Sequence, residues 1–310
     1  MSTYDLAVIG GGPGGLATAM YAGLRGISVI AFEAEAFGGQ LINLYPGKPV
    51  TNFPAQARVL SGDLALRLAE QAAGFGAELR EWAPVEYAGL APGGFLVRVA
   101  GEETTAKALV LALGIGRFSP RRLGLAGEER FLGRGLEYRL PPIGQITAEH
   151  AVVVGGGDTA FDIALSLRQV AHVTLVHRRD AFSAFAYSQH EAEDAGLEVI
   201  TGGEVVELRG GEHLEGVVVV LADGRSVELP ADLLFVSIGQ VPDLRGVEEW
   251  GLGLSGMHIE VDSSMQTARL GLHAVGDFAS YPGKVRMIAT AAAEGSTAAA
   301  SVERYLLSPN

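Results

Sequence analysis

No cysteine occurs anywhere in the 310 residues. That excludes a disulfide, a thiolate metal site, an iron–sulfur cluster and any redox-active Cys-x-x-Cys pair. Positive charge is also scarce: 23 Lys and Arg stand against 36 Asp and Glu, a formal charge of −13. Long-range repulsion therefore disfavours nucleic acid and anionic membrane, and neither is expected as a partner. Long hydrophobic runs are missing as well. The strand-like stretch Leu6 to Ile9 starts without a basic region or long apolar segment before it, so no signal peptide is expected. The most apolar helical stretch, Ile288 to Ala300, is mostly alanine and carries Glu294 and Gly295, which fits a helix packed inside protein rather than a bilayer span. The cytoplasm is the expected location.

What is abundant is apolar residues, 48%, and glycine, 43 residues, where about 7% is usual. The length and apolar content can bury a large core and point to about two domains. Two stretches repeat one order of elements: strand Tyr4 to Ile9, turn Gly10 to Gly15, helix Leu16 to Arg25, strand Ile27 to Phe32; then strand Ala151 to Val154, turn Gly155 to Ala160, helix Phe161 to Gln169, strand His172 to Val176. Each is the pattern of a parallel βαβ unit. Further helices are expected at Gly62 to Phe75 and Tyr187 to Ala195. Further strands are expected at Phe95 to Val99, Ala108 to Ala112, Leu197 to Ile200, Gly216 to Leu221 and Leu233 to Ile238. The fold class expected is α/β, with two Rossmann-like three-layer dinucleotide-binding domains.

In the first turn, Gly10 permits the tight bend, Gly12 lets backbone approach a pyrophosphate, and Gly15 lets helix pack on strand. Pro13 opens the helix, whose amino end offers N–H groups and a positive dipole end to phosphate. Glu33 ends the next strand, where a carboxylate accepts hydrogen bonds from ribose hydroxyls. The plain alternative is a glycine-rich turn without a ligand.

The second turn, with Gly155, Gly157, Asp158 and Thr159, closes on Ala160. After its second strand stand His177, Arg178 and Arg179, where an acid would otherwise be. Guanidinium groups suit a 2′-phosphate, so the first turn points to FAD and the second to NADPH; the alternative is a basic surface loop. The run Arg117, Arg121, Arg122, Arg130, Arg134 and Arg139, broken by Glu128, Glu129 and Glu137, reads as a solvated face, with a docking patch for an acidic protein partner as the alternative. No metal-ligand spacing or nucleophile elbow occurs. His150, His172 and His273 read as structural and His190 as an exposed helix residue, with an approach to the nicotinamide as the alternative.

Beyond the turns, the stretches Gly38-Gly-Gln40-Leu41, Asn52-Phe-Pro54, Leu111-Ala-Leu-Gly114, His177-Arg-Arg179 and Ala274-Val-Gly-Asp277 resemble the flavoprotein reductases of the thioredoxin-reductase type over nearly the whole chain. Those enzymes carry a Cys-x-x-Cys before the second βαβ unit; here Gly135 to Pro142 has none. Leu44-Tyr45-Pro46 and the segment from Gly276 to Thr290 resemble more closely the thioredoxin-reductase-like ferredoxin–NADP reductases, which lack the dithiol. The resemblance implies an NADPH domain at 116–241 inserted in an FAD domain at 1–115 and 242–310. It also implies Tyr45 stacking on the flavin, Gln40 and Leu41 lining it, and Asp277 at its ribityl or phosphate region. Asn52 and Gly114 belong to matching flavin-domain motifs, Val85 would meet adenine through its backbone, and Ile288 and Ala289 would set a helix end at the flavin pyrimidine edge. Gly239 is expected at the nicotinamide nucleotide.

No catalytic side chain is implied: hydride passes from NADPH to flavin, and single electrons leave to ferredoxin or flavodoxin, from a homodimer. Two departures bear on this. Phe182-Ser183 stands where the family continues with Phe-Arg, weakening NADPH selectivity, and the chain ends at Asn310, without the family's usual extension over the second flavin face. An NADPH oxidase or diaphorase reducing oxygen, quinone or ferric chelates, and a non-enzymatic flavin redox sensor, remain open alternatives.

Overall fold

The computed structural model describes residues 2–44, 46–140, 143–243, 247–250, 252 and 258–308. They form two compact units. The first comprises 1–46, 50–118 and 242–310, the second 47–49 and 119–241.

The first unit opens with β1 (Ser2–Ile9), α1 (Pro13–Leu24) and β2 (Val29–Phe32), followed by α2 (Ser61–Gly74), β3 (Glu78–Arg80), β4 (Val85–Ala91), β5 (Gly94–Val99) and β6 (Glu102–Leu111). The strand order is β3-β2-β1-β6-β5-β4, with β1, β2, β3 and β6 parallel and β4 to β6 an antiparallel meander. Alternation along β1 divides the core. Leu6 and Val8 face the helices, packing with Leu16 and Ala19, while Ala7 and Ile9 pack on the opposite face with Phe95 and Val97. Both faces are apolar because layers cover both.

The second unit contains β7 (Leu136–Glu137), β8 (His150–Gly155), α3 (Asp158–Leu167), β9 (His172–His177), α4 (Ala186–Asp194), β10 (Glu198–Thr201), β11 (Gly203–Arg209), β12 (Gly216–Leu221), β13 (Ser226–Pro230) and β14 (Leu233–Ser237). Strands β7-β14-β8-β9-β10 make a parallel sheet, and β11-β12-β13 an antiparallel one.

The chain then returns to the first unit with β15 (Leu272–Ala274) and α5 (Ile288–Leu307). β6 is long enough to serve two neighbours on one side: Glu102 to Ala106 pair with β5, and Leu109 to Leu111 pair with β15. Helix α5 runs seven residues past the expected end at Ala300, because Ser301 and Val302 continue its buried face and Tyr305 packs on the core. Its alanines and Gly295 allow close packing on α1: a Cβ at Gly295 would lie 2.5 Å from the Gly14 carbonyl oxygen.

Candidate functional site

The first glycine turn sits at the carboxyl end of β1, the edge where open parallel sheets bind ligands. Gly10 holds φ +104°, and an added Cβ would lie 2.3 Å from the Ala112 carbonyl oxygen; one at Gly15 would lie 1.9 Å from that of Gly10. Gly12, the residue before Pro13 and the start of α1, has nothing within 4 Å of its Cβ position, and no side chain caps the helix. The turn is thus crowded beneath and open above, with helix N–H groups available to an anion.

Glu33, just past β2, is fixed by this turn: its carboxylate accepts the Gly11 N–H at 2.6 Å and the Glu35 N–H at 3.1 Å. Burial pushes its pKa above the ordinary carboxylate value, against the pull of these backbone donors. Gln40 and Asp277, remote in sequence, meet: Gln40 Nε2 donates to Asp277 Oδ2 at 3.4 Å. Leu41 is buried with Val50, Val59 and Leu64, and Ile288 packs against the same cluster. Ala289 follows Ile288 in the first turn of α5, which no side chain caps. Gly114, at φ +59°, has open space at its Cβ position; Asn52 is exposed and Val85 half-buried at the start of β4. Tyr45, expected to stack on a flavin, lies outside the described residues.

In the second unit, β8, the turn and α3 repeat the arrangement. A Cβ at Gly155 would lie 2.5 Å from the Ser237 carbonyl oxygen, while Gly157 has only Ser183 Oγ near, at 3.5 Å. Asp158 Oδ1 accepts the Phe185 N–H at 2.9 Å and the Ser188 hydroxyl at 2.8 Å, tying the start of α4 to that of α3. Thr159 Oγ1 accepts from Lys48 Nζ at 3.3 Å; the same ammonium pairs with Asp162 at 2.9 Å. Gly239, at φ +102°, follows β14 with open space at its Cβ position.

The three basic residues separate in role. His177 turns its ring under the glycine turn: a Cβ at Gly156 would strike it at 2.2 Å, it stacks on Phe182 at 5.1 Å, and its Nε2 lies 3.2 Å from the Ala181 carbonyl. Arg178 and Arg179 are exposed and make no ion pair among the described residues. Ser183 Oγ donates to the Gly156 carbonyl at 3.1 Å, folding the loop back onto the turn.

A profile of the pyridine nucleotide-disulphide oxidoreductases matches residues 4–295. This chain belongs to that family. It is 42% identical over 300 residues to the ferredoxin–NADP reductase of Saccharopolyspora erythraea, covering 95% of this chain and 90% of that protein. It is 37% identical to the enzyme of the same name from Metallosphaera sedula, over 100% of this chain and 95% of that one. Among solved structures, the thioredoxin reductase of T. acidophilum superposes with a TM-score of 0.89 at 25% identity, over 99% of this chain and 100% of that one. The family member described here is an oxidoreductase with the two-domain dinucleotide-binding fold. Despite the family's name it has no cysteine to form a disulfide.

Of the remaining expectations, His150 and His172 stack on each other at 5.7 Å, His190 is exposed beside Glu193, and Arg122 and Arg130 are engaged with Glu129 and the Gly210 carbonyl. No metal-binding cluster occurs, and no helix is long and apolar enough to cross a membrane, among the described residues. Sequence reasoning missed Glu294. It read only as a sign that its helix packs inside protein rather than spanning a bilayer, yet the residue is buried and accepts from Tyr281 Oη at 2.5 Å, and burial with this bond pushes the tyrosine pKa to about 12.

Proposed function

We propose that this chain is an FAD-dependent oxidoreductase that draws electrons from NADPH and passes them singly to ferredoxin, with flavodoxin as an acceptor of the same kind. The observation that carries the reading is the inequality of the two turns: a held carboxylate, Glu33, beside the first, and beside the second two exposed guanidinium groups, Arg178 and Arg179, with no ion pair among the described residues. The relatives named ferredoxin–NADP reductase support it.

FAD suits the first unit by its donor set. The open space above Gly12, the uncapped start of α1 and the carboxylate of Glu33 match a diphosphate and a ribose without a 2′-phosphate. Gly10 and Gly15 keep backbone and helix close enough for that approach, and Pro13 fixes the first helical residue. Gln40 and Asp277 offer a linked amide and carboxylate to the ribityl region, and the start of α5 at Ile288 and Ala289 turns a helix dipole toward the flavin. Leu41, Tyr45, Asn52, Val85 and Gly114 complete the proposed flavin contacts. When bound, FAD supplies the ability to accept two electrons together and release them one at a time.

For NADPH, Gly155, Gly157 and the start of α3 at Asp158 and Thr159 receive the diphosphate, and Arg178 and Arg179 hold the 2′-phosphate, each by charge-assisted hydrogen bonds. His177 supports the turn from beneath, and Gly239 leaves room beside the nucleotide. With no cysteine, electrons leave from the flavin itself. We place the reaction in the cytoplasm and the assembly as a homodimer.

The test is anaerobic mixing of the FAD-loaded protein with NADPH or NADH, then addition of ferredoxin with cytochrome c as final acceptor. Rapid bleaching by NADPH and ferredoxin-dependent cytochrome reduction are expected. A preference for NADH would overturn the assignment of Arg178 and Arg179. No acceleration by ferredoxin or flavodoxin over oxygen alone would overturn the acceptor.

A further inference from the structure

Lys284 and Glu294 form an ion pair in the first unit whose side chains are 6% and 4% exposed. Together they grip both backbone polar groups of a single residue. Glu294 Oε2 accepts the Gly276 N–H at 2.7 Å, and the Lys284 ammonium donates to the Gly276 carbonyl at 2.9 Å. The other carboxylate oxygen, Oε1, accepts from both Lys284 and the Tyr281 hydroxyl. Gly276 stands at φ +70°, the left-handed region. It directly precedes Asp277, the partner of Gln40, and abuts the first glycine turn: a Cβ at Gly14 would lie 3.4 Å from the Gly276 nitrogen.

Stability alone does not explain two buried charges at this place, since apolar residues of similar volume serve a core as well or better. What the pair adds is direction. It fixes one peptide on either side, and so the orientation of the carboxylate that follows, against the helix start that receives a diphosphate. We infer that Lys284, Glu294 and Tyr281 are positioning residues for the flavin, holding the Gly276–Asp277 turn in its binding conformation before FAD arrives. This rests on the FAD reading of the first unit. A turn already ordered loses less freedom on binding, so the network acts on flavin affinity and on the flavin's surroundings.

The double variant Lys284→Met/Glu294→Gln removes both charges together and leaves no unpaired ion in the core. Apoprotein is titrated with FAD by fluorescence, the absorption bands and reduction potential of the loaded protein are recorded, and the apoprotein is melted. The expected result is a rise in FAD Kd of about tenfold, the worth of one hydrogen bond to a charged group, with displaced flavin bands and potential and an apoprotein melting close to wild type. Wild-type Kd, bands and potential in the double variant would overturn the inference. Should that variant not fold, Tyr281→Phe decides by the same three readouts: a smaller rise in Kd with displaced bands supports the inference, and unchanged values overturn it. A wild-type apoprotein that takes up no FAD overturns the flavin reading itself, a separate outcome.

Discussion

At Gly15 an added Cβ would lie 1.9 Å from the Gly10 carbonyl oxygen, whereas the matching position of the second turn, Ala160, already carries a Cβ and is fully buried. The ends of the following strands differ too, with Glu33 bound to backbone N–H groups in one unit and Arg178 and Arg179 exposed, without ion-pair partners among the described residues, in the other. The first turn is closed beneath and its acid is already in place. The second is looser, and its two guanidinium groups are exposed. One supersecondary pattern thus occurs twice, and packing and charge rather than the glycine spacing tell the two turns apart.

The largest expected effect breaks the crowded turn. Gly15→Ala forces its methyl onto backbone that cannot swing aside and costs about 3 kcal/mol by overpacking. Chemical denaturation of the apoprotein measures it, and an unchanged midpoint would mean that the turn has slack.

Acid sharpens the contrast next. In the first unit His273 is fully buried on β15, with Nε2 against Ser301 Oγ at 3.0 Å, and burial lowers its pKa from 6.5 to about 4. The unfolded chain therefore takes up this proton first. The stability tied to the neutral ring is complete above pH 6.5 and is lost as pH falls from 6.5 to about 4, by about 3 kcal/mol in total. Denaturation of wild type against His273→Gln across this range checks it; parallel curves would show that the imidazole does not contribute. The second unit's stacked pair, His150 and His172, is at the surface or only half-buried.

Arg178→Ala tests the open anion end. It should raise the NADPH KM about tenfold, the worth of one charge-assisted bond, with little change in the NADH KM. Equal effects on both nucleotides in steady-state kinetics would remove the 2′-phosphate from the argument. The smallest effect is the reciprocal of the first. Ala160→Gly in α3 should cost only the helix propensity difference, about 1 kcal/mol, read again by denaturation. A cost matching that of Gly15→Ala would erase the distinction between the turns.

Both glycine turns and the contrast between Glu33 and the arginines could be read because they depend on local backbone needs and on which residue follows a strand end. Strands β4 and β11 escaped a reading by alternation because each carries a register shift, at Val85/Tyr87 and at Val205/Glu207, which breaks the two-residue period. His177 read as one of three basic residues suited to a 2′-phosphate, yet its ring lies close under Gly156. Glu294 was invisible as a functional residue, since its partners Gly276, Tyr281 and Lys284 come from a loop and not from its own helix face.

Two glycine turns, their inequality and the lack of any thiol to carry electrons are all written in the residue order. These follow from residue chemistry and from spacings within one βαβ unit. Only the tertiary structure decided that Gln40 meets Asp277, that β15 returns to pair with β6, and that a buried ion pair grips Gly276. The first two join segments far apart in the chain and the third ties a loop to a helix face, and their geometry is set by packing of the whole unit, which no local pattern encodes.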